Sequence, residues 1–448
     1  MAFSRDCQVI CGKETIPWDF YVKAARFLIY EEFIDELDAR AWKNYLSIGV
    51  RDDIRNSLRM PSEGGDDRTI ALLTTGLTQV RHLQATNPKD KIYGLYAVFS
   101  ALSIPLPAPD YGKPLEKLYE EACVAIILHS GSLQMLEYAS SNARAQNLPS
   151  WVADWQDEDV TLINPSTCAT EGSRISQTYL STLSPASGQL RARGQIIGLI
   201  TTRAENDFAT LEFPSGSLPI LKGERYDVIG NEIDSLRLLV HRLRLFREWM
   251  RLVDGVPPPY PDEDSSDFFH KLVTFNSEPS DARLFNAWID ILQYPDTLYD
   301  LSNGERVAET WKSADKANMR HWTTELSQCS IVAAALATKS AGRCGQVPSE
   351  IAELLDFTAH LSGNMGNRAL ILVHDTLLNA TLPGTAFHMA MVDDSIVLLE
   401  GADYPVVLRR KGDKWSFVGP AFVVGIMDGE AWLDEDGAVQ GLQDFVLI

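Results

Sequence analysis

The spacing of apolar residues in the first third of the chain is helical. Apolar side chains recur every three or four positions over residues 15–48 and again over 69–84, which predicts two amphipathic helices. Pro17 suits the first turn of the first helix, where a missing N–H costs nothing. A third helix is predicted over 114–129, opened by a proline and stopped by Gly131.

Further along the chain, strand-like and helical patterns alternate. Residues 189–200 are predicted to begin as a strand that turns at Gly194. A helix is expected over 232–253, and residues 266–363 are expected to be mainly helical. Residues 368–432 consist mostly of short β-branched runs separated by Gly, Pro and Asp, which predicts an antiparallel sheet or a small barrel.

These patterns predict an α+β protein of three parts. Residues 1–160 form a helical N-terminal module, and residues 161–255 form a mixed linker region that carries a basic amphipathic helix. Residues 256–448 form a C-terminal helical segment followed by a β-rich cap. The stiff, Pro-rich and acidic stretch 255–264 between the last two parts is a hinge candidate.

Composition narrows the classes of function. The chain has 61 acidic and 40 basic residues, which give a formal net charge of −21. Because a strongly acidic protein repels the phosphate backbone, general nucleic-acid binding is not expected. The sequence shows neither a secretory signal nor an apolar run of the roughly 20 residues that span a bilayer, so a cytoplasmic protein is expected. The cysteines contain no C-x-x-C pair and predict reduced thiols with structural roles; they lie at positions 7, 11, 123, 168, 329 and 344.

Three short blocks in the first third of the chain carry the most specific signal. They read A-T-N-P-K-D-K-I-Y-G-L at 85–95, P-D-Y-G-K-P-L-E-K-L-Y-E-E-A at 109–122 and L-P-S-W-V-A-D-W at 148–155. In this order and at this spacing they resemble blocks of fungal heterokaryon-incompatibility (HET-domain) proteins, which read T-D-P-R-D-K-[IV]-Y-A-L, D-Y-x-K-x-x-x-x-[VL]-[FY]-x-x-A and L-P-S-W-V-x-D-W. The matching residues here are Asp90, Lys91, Tyr93, Asp110, Tyr111, Trp151, Asp154 and Trp155.

Two runs near the C-terminus extend the resemblance. They read I-V-L-L-E-G-A-D-Y-P-V-V-L-R-R at 396–410 and F-V-G-P-A-F-V-V-G-I-M-D-G-E-A at 417–431, and HET-domain proteins often end with similar runs. The matching residues are Gly401, Pro405, Arg409, Gly425, Gly429 and Glu430. Where the family has Gly-Asp before the first run, this chain has Asp393 and Asp394, which changes a turn residue.

The resemblance implies a role in fungal self/non-self recognition, in which incompatible partners trigger programmed cell death. The family's toxic effector is an N-terminal domain similar to TIR domains, and its A-L-S-Y-x-W-G-like and W-I-D-x-x-C-I-N-Q-like motifs do not occur in this sequence. The expected function is therefore that of a non-catalytic recognition or regulatory protein, or of a truncated HET protein. The expected partner is another protein, either an incompatibility partner or a full-length HET protein, and no cofactor is expected.

The rival hypothesis is an enzyme of unknown reaction, with a pocket between the helical module and the β-rich cap. Its first candidates are Asp154, a carboxylate between two indoles that could act as an acid, and His374, which precedes Asp375. Each has a structural alternative: Asp154 would accept hydrogen bonds from indole or amide N–H groups, and the side chains of His374 and Asp375 would point to opposite faces of a strand. No G-x-S-x-G, H-E-x-x-H or phosphate-binding glycine motif accompanies them, and no metal site is expected.

The helix predicted over 232–253 is unusually basic. Arg242, Arg244 and Arg247 lie among its apolar residues, as in helices that lie on an anionic membrane surface or dock into a partner's groove. In the alternative interpretation, which we favour, these arginines pair with the acidic surface of the same protein, for example with the D-E-D run at 262–264.

Overall fold

The computed structural model describes part of the chain in continuous stretches and a few isolated positions. The stretches are 8–30, 85–140, 147–157, 168–183, 188–207, 242–257, 265–275, 365–376, 379–433 and 441–448, and the isolated positions are 285, 288, 289, 292, 361 and 439. The helix predicted over 69–84 and most of the helical region predicted over 266–363 lie outside the described residues.

Helices and strands together make the protein α+β, as the sequence predicts. The helices are α1 (Trp18–Tyr30), α2 (Asp90–Tyr93), α3 (Tyr96–Ala101), α4 (Leu115–Ser130), a 3-10 helix (Gln134–Ala139), α5 (Gln177–Leu180), α6 (242–254) and α7 (Ser265–Thr274). The strands are β1 (Gln8–Cys11), β2 (Glu14–Pro17), β3 (Leu190–Arg203), β4 (Arg368–Asp375), β5 (Ala380–Phe387), β6 (Ser395–Leu399), β7 (Val406–Lys411), β8 (Lys414–Val423) and β9 (Gln443–Leu447).

Helix α4 follows its sequence signals closely. Pro114 is its N-cap, and Gly131 ends it in the left-handed region with a φ of 62°, where its N–H donates to Ile127 O at 2.8 Å. Glycine adopts this conformation without the steric cost that a Cβ brings. The helix predicted over 114–129 is therefore confirmed to within a residue.

The first predicted helix begins later than its pattern indicates. Residues 14–17 form strand β2, whose residue Ile16 pairs with Val9 of β1 in an antiparallel hairpin, and α1 begins only at Trp18. Placing Pro17 in the first helical turn was therefore wrong: Pro17 is the last residue of β2. Backbone pairing with a strand that precedes it overrides the helical spacing of these positions.

The turn predicted at Gly194 is also wrong. Strand β3 runs without interruption from Leu190 to Arg203, and Gly194 lies inside it. A Cβ at this position would lie 2.1 Å from the backbone oxygen of Leu398 on β6, so only glycine allows the two strands to approach this closely. The glycine marks a close backbone contact and not the end of a strand.

The strands from β3 onwards form one seven-stranded sheet whose pairings close into a ring. One edge of β3 pairs with β6, and the other edge pairs first with β9 and then with β4. The ring continues through β4–β5, β5–β8, β8–β7 and β7–β6. All these pairings are antiparallel, and β9 adds one parallel contact to β8.

Several strands of this ring are buried on both sides, and β6 is buried at every position. On β6, Ile396 and Leu398 belong to a core made mostly of strand residues, which we assign to the inside of the ring. The alternating residues Val397 and Leu399 belong to a second core, which joins the outside of the ring to helices α2 to α7. Such two-sided burial requires nearly continuous apolar runs, as in the sequence of β6. The same outer core contains Trp151.

Candidate functional site

The first two motif blocks are joined by a pair of reciprocal contacts. The Tyr93 hydroxyl donates to Asp110 O at 2.6 Å, and the Asp110 N–H donates back to the Tyr93 oxygen at 3.0 Å. The Tyr111 hydroxyl donates to Asp90 Oδ1 at 2.6 Å, and Lys89 Nζ donates to Tyr111 O at 2.6 Å. The motif residues of α2 therefore hold the D-Y-G-K loop against the helix.

Aromatic contacts strengthen this junction. The Tyr93 ring meets the Tyr111 ring edge-on at 5.1 Å, and it meets the Tyr96 ring at 5.4 Å. Tyr111 is 55% exposed, and its hydrogen bond to Asp90 raises the pKa of its hydroxyl. Lys91, the remaining motif residue of this block, has a buried side chain. The junction thus combines an inner aromatic contact with polar bonds at the surface.

The second and third blocks meet inside the outer core. The Tyr119 and Trp155 rings contact edge-on at 5.0 Å, and the Ala153 N–H donates to Cys123 Sγ at 3.3 Å. Trp151, which is fully buried, donates from Nε1 to a backbone oxygen at 3.3 Å. The third block is thereby fixed on α4 by its indoles and backbone.

Asp154 lies between these indoles and is only 2% exposed. Its Oδ1 accepts the Gln156 N–H at 3.0 Å, which is the amide bond expected in the structural alternative. The expected indole bond is not seen from Trp155, because its buried Nε1 has no hydrogen-bond partner among the described residues.

Ser150 joins the third block to the sheet and was not singled out from the sequence. Its N–H donates to Ile448 O at 2.8 Å, and its Oγ accepts the Phe417 N–H from β8 at 2.8 Å. A serine beside a proline and a tryptophan carries no signal of its own for such a role, since both partners come from distant strands.

The C-terminal motif contains a bidentate ion pair. Arg409 donates from Nε to Asp394 Oδ1 at 2.8 Å and from Nη2 to Asp394 Oδ2 at 2.7 Å. The same Nη2 donates to Met389 O at 2.8 Å, and Asp394 Oδ2 accepts the Met391 N–H at 2.8 Å. The residue before this aspartate, Asp393, has a φ of 71°, so it occupies a left-handed turn position that favours glycine.

Gly401 connects the C-terminal motif to the helices. Its oxygen accepts the Leu133 N–H at 2.6 Å and the Ser132 hydroxyl at 3.0 Å. Its φ is 86°, and a Cβ would lie 2.7 Å from Ile175 Cγ1, so a side chain does not fit. The other motif residues also lie in turns or backbone contacts: Gly425 and Gly429 have positive φ, Pro405 O accepts the Ala421 N–H, and Glu430 accepts the Asp428 N–H.

The two enzyme candidates lie on different elements. His374 is exposed near the end of β4 and Asp375 is buried, which confirms that these neighbours point to opposite faces of the strand. No hydrogen bond or ion pair between His374 and Asp154 is found in the described part of the chain. Burial lowers the pKa of another histidine, His388, whose backbone oxygen accepts a bond from Arg203 Nη2 at 2.9 Å.

The candidate arginines of the basic helix are not fully exposed to solvent. Arg242, Arg244 and Arg247 are all partly buried, and burial lowers the pKa of Arg242. The apolar face of α6 packs in the outer core, where Phe246 contacts Trp288 edge-on at 4.9 Å. Binding of a partner or membrane through these arginines stays a prediction, as does pairing with 262–264, which lies outside the described residues.

The described thiols lie in two environments. Cys123 is buried and accepts the bond from Ala153, while Cys168 is partly buried and both burial and the neighbouring Asp403 raise its thiol pKa. A raised pKa disfavours the nucleophilic thiolate. Within the described stretches, no group of three or more His, Cys, Asp or Glu side chains is placed to hold a metal ion.

One charged residue that the sequence did not single out is also notable. Arg368, at the start of β4, is 1% exposed, and burial lowers its pKa to about 10. A basic residue that opens a β-branched run gives no sequence signal of such burial.

Comparison with known proteins adds no identity to this geometry. No family model, no curated protein and no solved structure matches the chain. No helix among the described residues is both long and apolar enough to cross a bilayer. What the described geometry does provide is a set of motif blocks whose side chains contact one another and the sheet.

Proposed function

We propose that this chain is a non-catalytic recognition or regulatory protein related to fungal heterokaryon incompatibility. It takes part in self/non-self recognition linked to programmed cell death, and its partner is another protein, either an incompatibility partner or a full-length HET protein. One observation supports this most: the motif side chains are used to bind the motif blocks to each other. The bond from Tyr111 to Asp90 is the clearest case.

The chemistry of these contacts supports a scaffold. The Tyr93 hydroxyl is engaged by the backbone of Asp110, and the Asp154 carboxylate is engaged by a backbone N–H. Trp151 and Trp155 fill the outer core. Groups that act on a substrate need free donors, acceptors or lone pairs facing a site, whereas these groups bind or pack against other residues of the same chain. A motif of this kind maintains a shape that a partner can recognise.

We further propose the arrangement in which that scaffold works. Residues 1–160 form a helical N-terminal module, residues 161–255 a mixed linker region, and residues 256–448 a helical segment with a β-rich cap. The contacts of Ser150 with β8 and of Gly401 with residues 132 and 133 support a module seated on the cap. The protein acts in the cytoplasm.

The proposal is tested by expression in a filamentous fungus. The chain is expressed alone and together with a full-length HET-domain protein, and hyphal viability is counted with a vital dye. We expect no growth arrest from the chain alone, and a changed frequency of cell death together with co-precipitation in the combined strain. Growth arrest from the chain alone would overturn the non-catalytic role, and unchanged death without co-precipitation would overturn the proposed partner.

A pair of variants compares a buried motif residue with an exposed residue outside the motifs. Trp151→Ala removes a buried anchor of the third block, so it should abolish the effect on cell death together with soluble protein. Leu128→Ala changes an exposed residue of α4 and should leave both unchanged.

A further inference from the structure

The guanidinium of Arg368 is enclosed by the protein and incompletely satisfied. It donates from Nη1 to Thr385 Oγ1 at 3.2 Å and to Thr385 O at 3.5 Å. Its Nε is buried and has no hydrogen-bond partner among the described residues. A guanidinium carries five N–H donors, and within the described stretches only the two Thr385 oxygens accept bonds from Arg368, so its Nε can still bind an acceptor.

Among the described residues around Arg368, little charge compensates that of the guanidinium. The Glu137 carboxylate attracts the guanidinium through space, but within the described part of the chain no ion pair of Arg368 is found. With a pKa of about 10, the guanidinium is still charged at neutral pH. A charge removed from water without a close counterion is unfavourable, so the site as described favours the arrival of an anion.

A strained aromatic residue covers this cation. Phe275 follows the last residue of α7, and its ring centroid lies 5.1 Å from Arg368 Cζ. Its φ is 54°, a left-handed value that is an outlier for a bulky side chain. Backbone strain of this kind collects at ligand clamps and switch regions. The same ring also contacts Phe422 of β8 at 5.1 Å, so it lies between the helix end and the sheet.

We propose that Arg368 and the Thr385 hydroxyl form a binding site for a small oxyanion group, a phosphate or a carboxylate, which the Phe275 ring covers. The planar fork of Nε and Nη groups matches two oxygens of either anion, and the threonine hydroxyl supplies a further donor. Movement of the Phe275 ring opens the site, and its left-handed backbone lowers the cost of that movement. This site is independent of the proposed recognition role, because none of these three residues belongs to the motif blocks.

The test measures thermal unfolding of the full chain in sodium phosphate, sodium acetate and sodium chloride at matched ionic strength. We expect a saturable rise of the unfolding temperature in phosphate or acetate, of about 1.5 °C at tenfold excess over the dissociation constant, and no such rise in chloride. A response to phosphate alone assigns a phosphate site, and a response to acetate alone assigns a carboxylate site. Equal responses to all three salts overturn the proposal.

Variants assign the response to Arg368. Arg368→Met keeps the length of the side chain without its charge and should remove the anion-dependent rise, whereas Arg410→Met, at an exposed arginine of β7, should keep it. If Arg368→Met does not fold, Phe275→Gly provides the test. This variant removes both the ring that covers Arg368 and the backbone strain, so it should enlarge the anion-dependent rise of the unfolding temperature. An anion response that survives Arg368→Met, or that Phe275→Gly leaves unchanged, contradicts the proposal.

Discussion

The Arg409 guanidinium donates hydrogen bonds to both carboxylate oxygens of Asp394. The aspartate side chain is almost fully buried, whereas the arginine side chain is partly exposed. The pair fixes the turn between β5 and β6, because Arg409 also binds Met389 O within that turn. The backbone oxygen of Asp394 accepts the N–H of Ile200, a residue of β3, at 2.9 Å. An arginine of β7 and the aspartate that precedes β6 therefore determine the geometry of one end of the ring.

Replacing this arginine by lysine should weaken that end. Arg409→Lys keeps the charge but loses the two-point contact, and hydrogen bonds to charged groups contribute about 1.5–3 kcal/mol each. Since Arg409 is partly exposed, we expect a loss near the lower figure, measured by urea unfolding. Arg410→Lys, at the next and exposed position, should change the midpoint little. Equal losses in both variants would contradict a specific role for Arg409.

Aspartate at position 393 is predicted to make the folded protein less stable than glycine would at the same position. Its φ of 71° is tolerated by aspartate but favoured by glycine, so Asp393→Gly should stabilise the protein by about 0.5–1 kcal/mol. Thermal unfolding gives the measurement. Asp413→Gly provides the control, since that exposed aspartate lacks a positive φ and the change should be neutral or destabilising. A loss of stability in Asp393→Gly would show that its side chain has a binding role in the turn.

Trp151 should be an anchor of the outer core. Truncation of a fully buried tryptophan costs about 3–5 kcal/mol, so Trp151→Ala should lower the unfolding temperature by several degrees or prevent soluble expression. Leu128→Ala, at an exposed position on α4, should remain within about 0.5 kcal/mol of the parent. The result to watch for is a Trp151→Ala protein that unfolds like its parent, because that would place the indole at a contact surface.

Tyr111 links stability to alkaline pH. Its bond to Asp90 raises its pKa in the folded state above the unfolded value. The bond therefore contributes fully below about pH 10 and is lost as the pH rises through the raised pKa. In a series of unfolding temperatures from neutral to alkaline pH, Tyr111→Phe should be less stable than the parent at neutral pH and converge with it at the alkaline end. Parallel curves at every pH would rule out this linkage.

Local signals account for the elements that the sequence predicted well. Helix α4 has a proline at its start, a glycine at its end and a regular apolar stripe between them, so its bounds depend on no distant residue. The apolar runs over 368–432 likewise predict strands, because β4 and β6 are buried along most of their length. The opposite orientation of His374 and Asp375 follows from strand geometry alone.

The errors and omissions concern positions whose role depends on a distant partner. The sequence predicts a turn at Gly194, but the role of this glycine is set by the close approach of the Leu398 backbone. The sequence predicts Pro17 in the first turn of a helix, but residues 14–17 pair with strand β1. The burial of Arg368 depends on Phe275 and Thr385, which come from α7 and β5. No pattern in a single sequence specifies which of these partners will meet.

The pairing of β3 with β4 has a consequence for how the chain tolerates change. The chain leaves β3 at Arg203 and returns to the sheet at Arg368, and the Ala204 N–H donates to Leu370 O at 2.9 Å where the two ends meet. The two ends of the stretch 204–367 are thus held side by side at the sheet. Because the entropy of closing a loop rises by only about 0.6 kcal/mol for each doubling of its length, the entropic cost of holding these two ends together depends only weakly on how many residues lie between them.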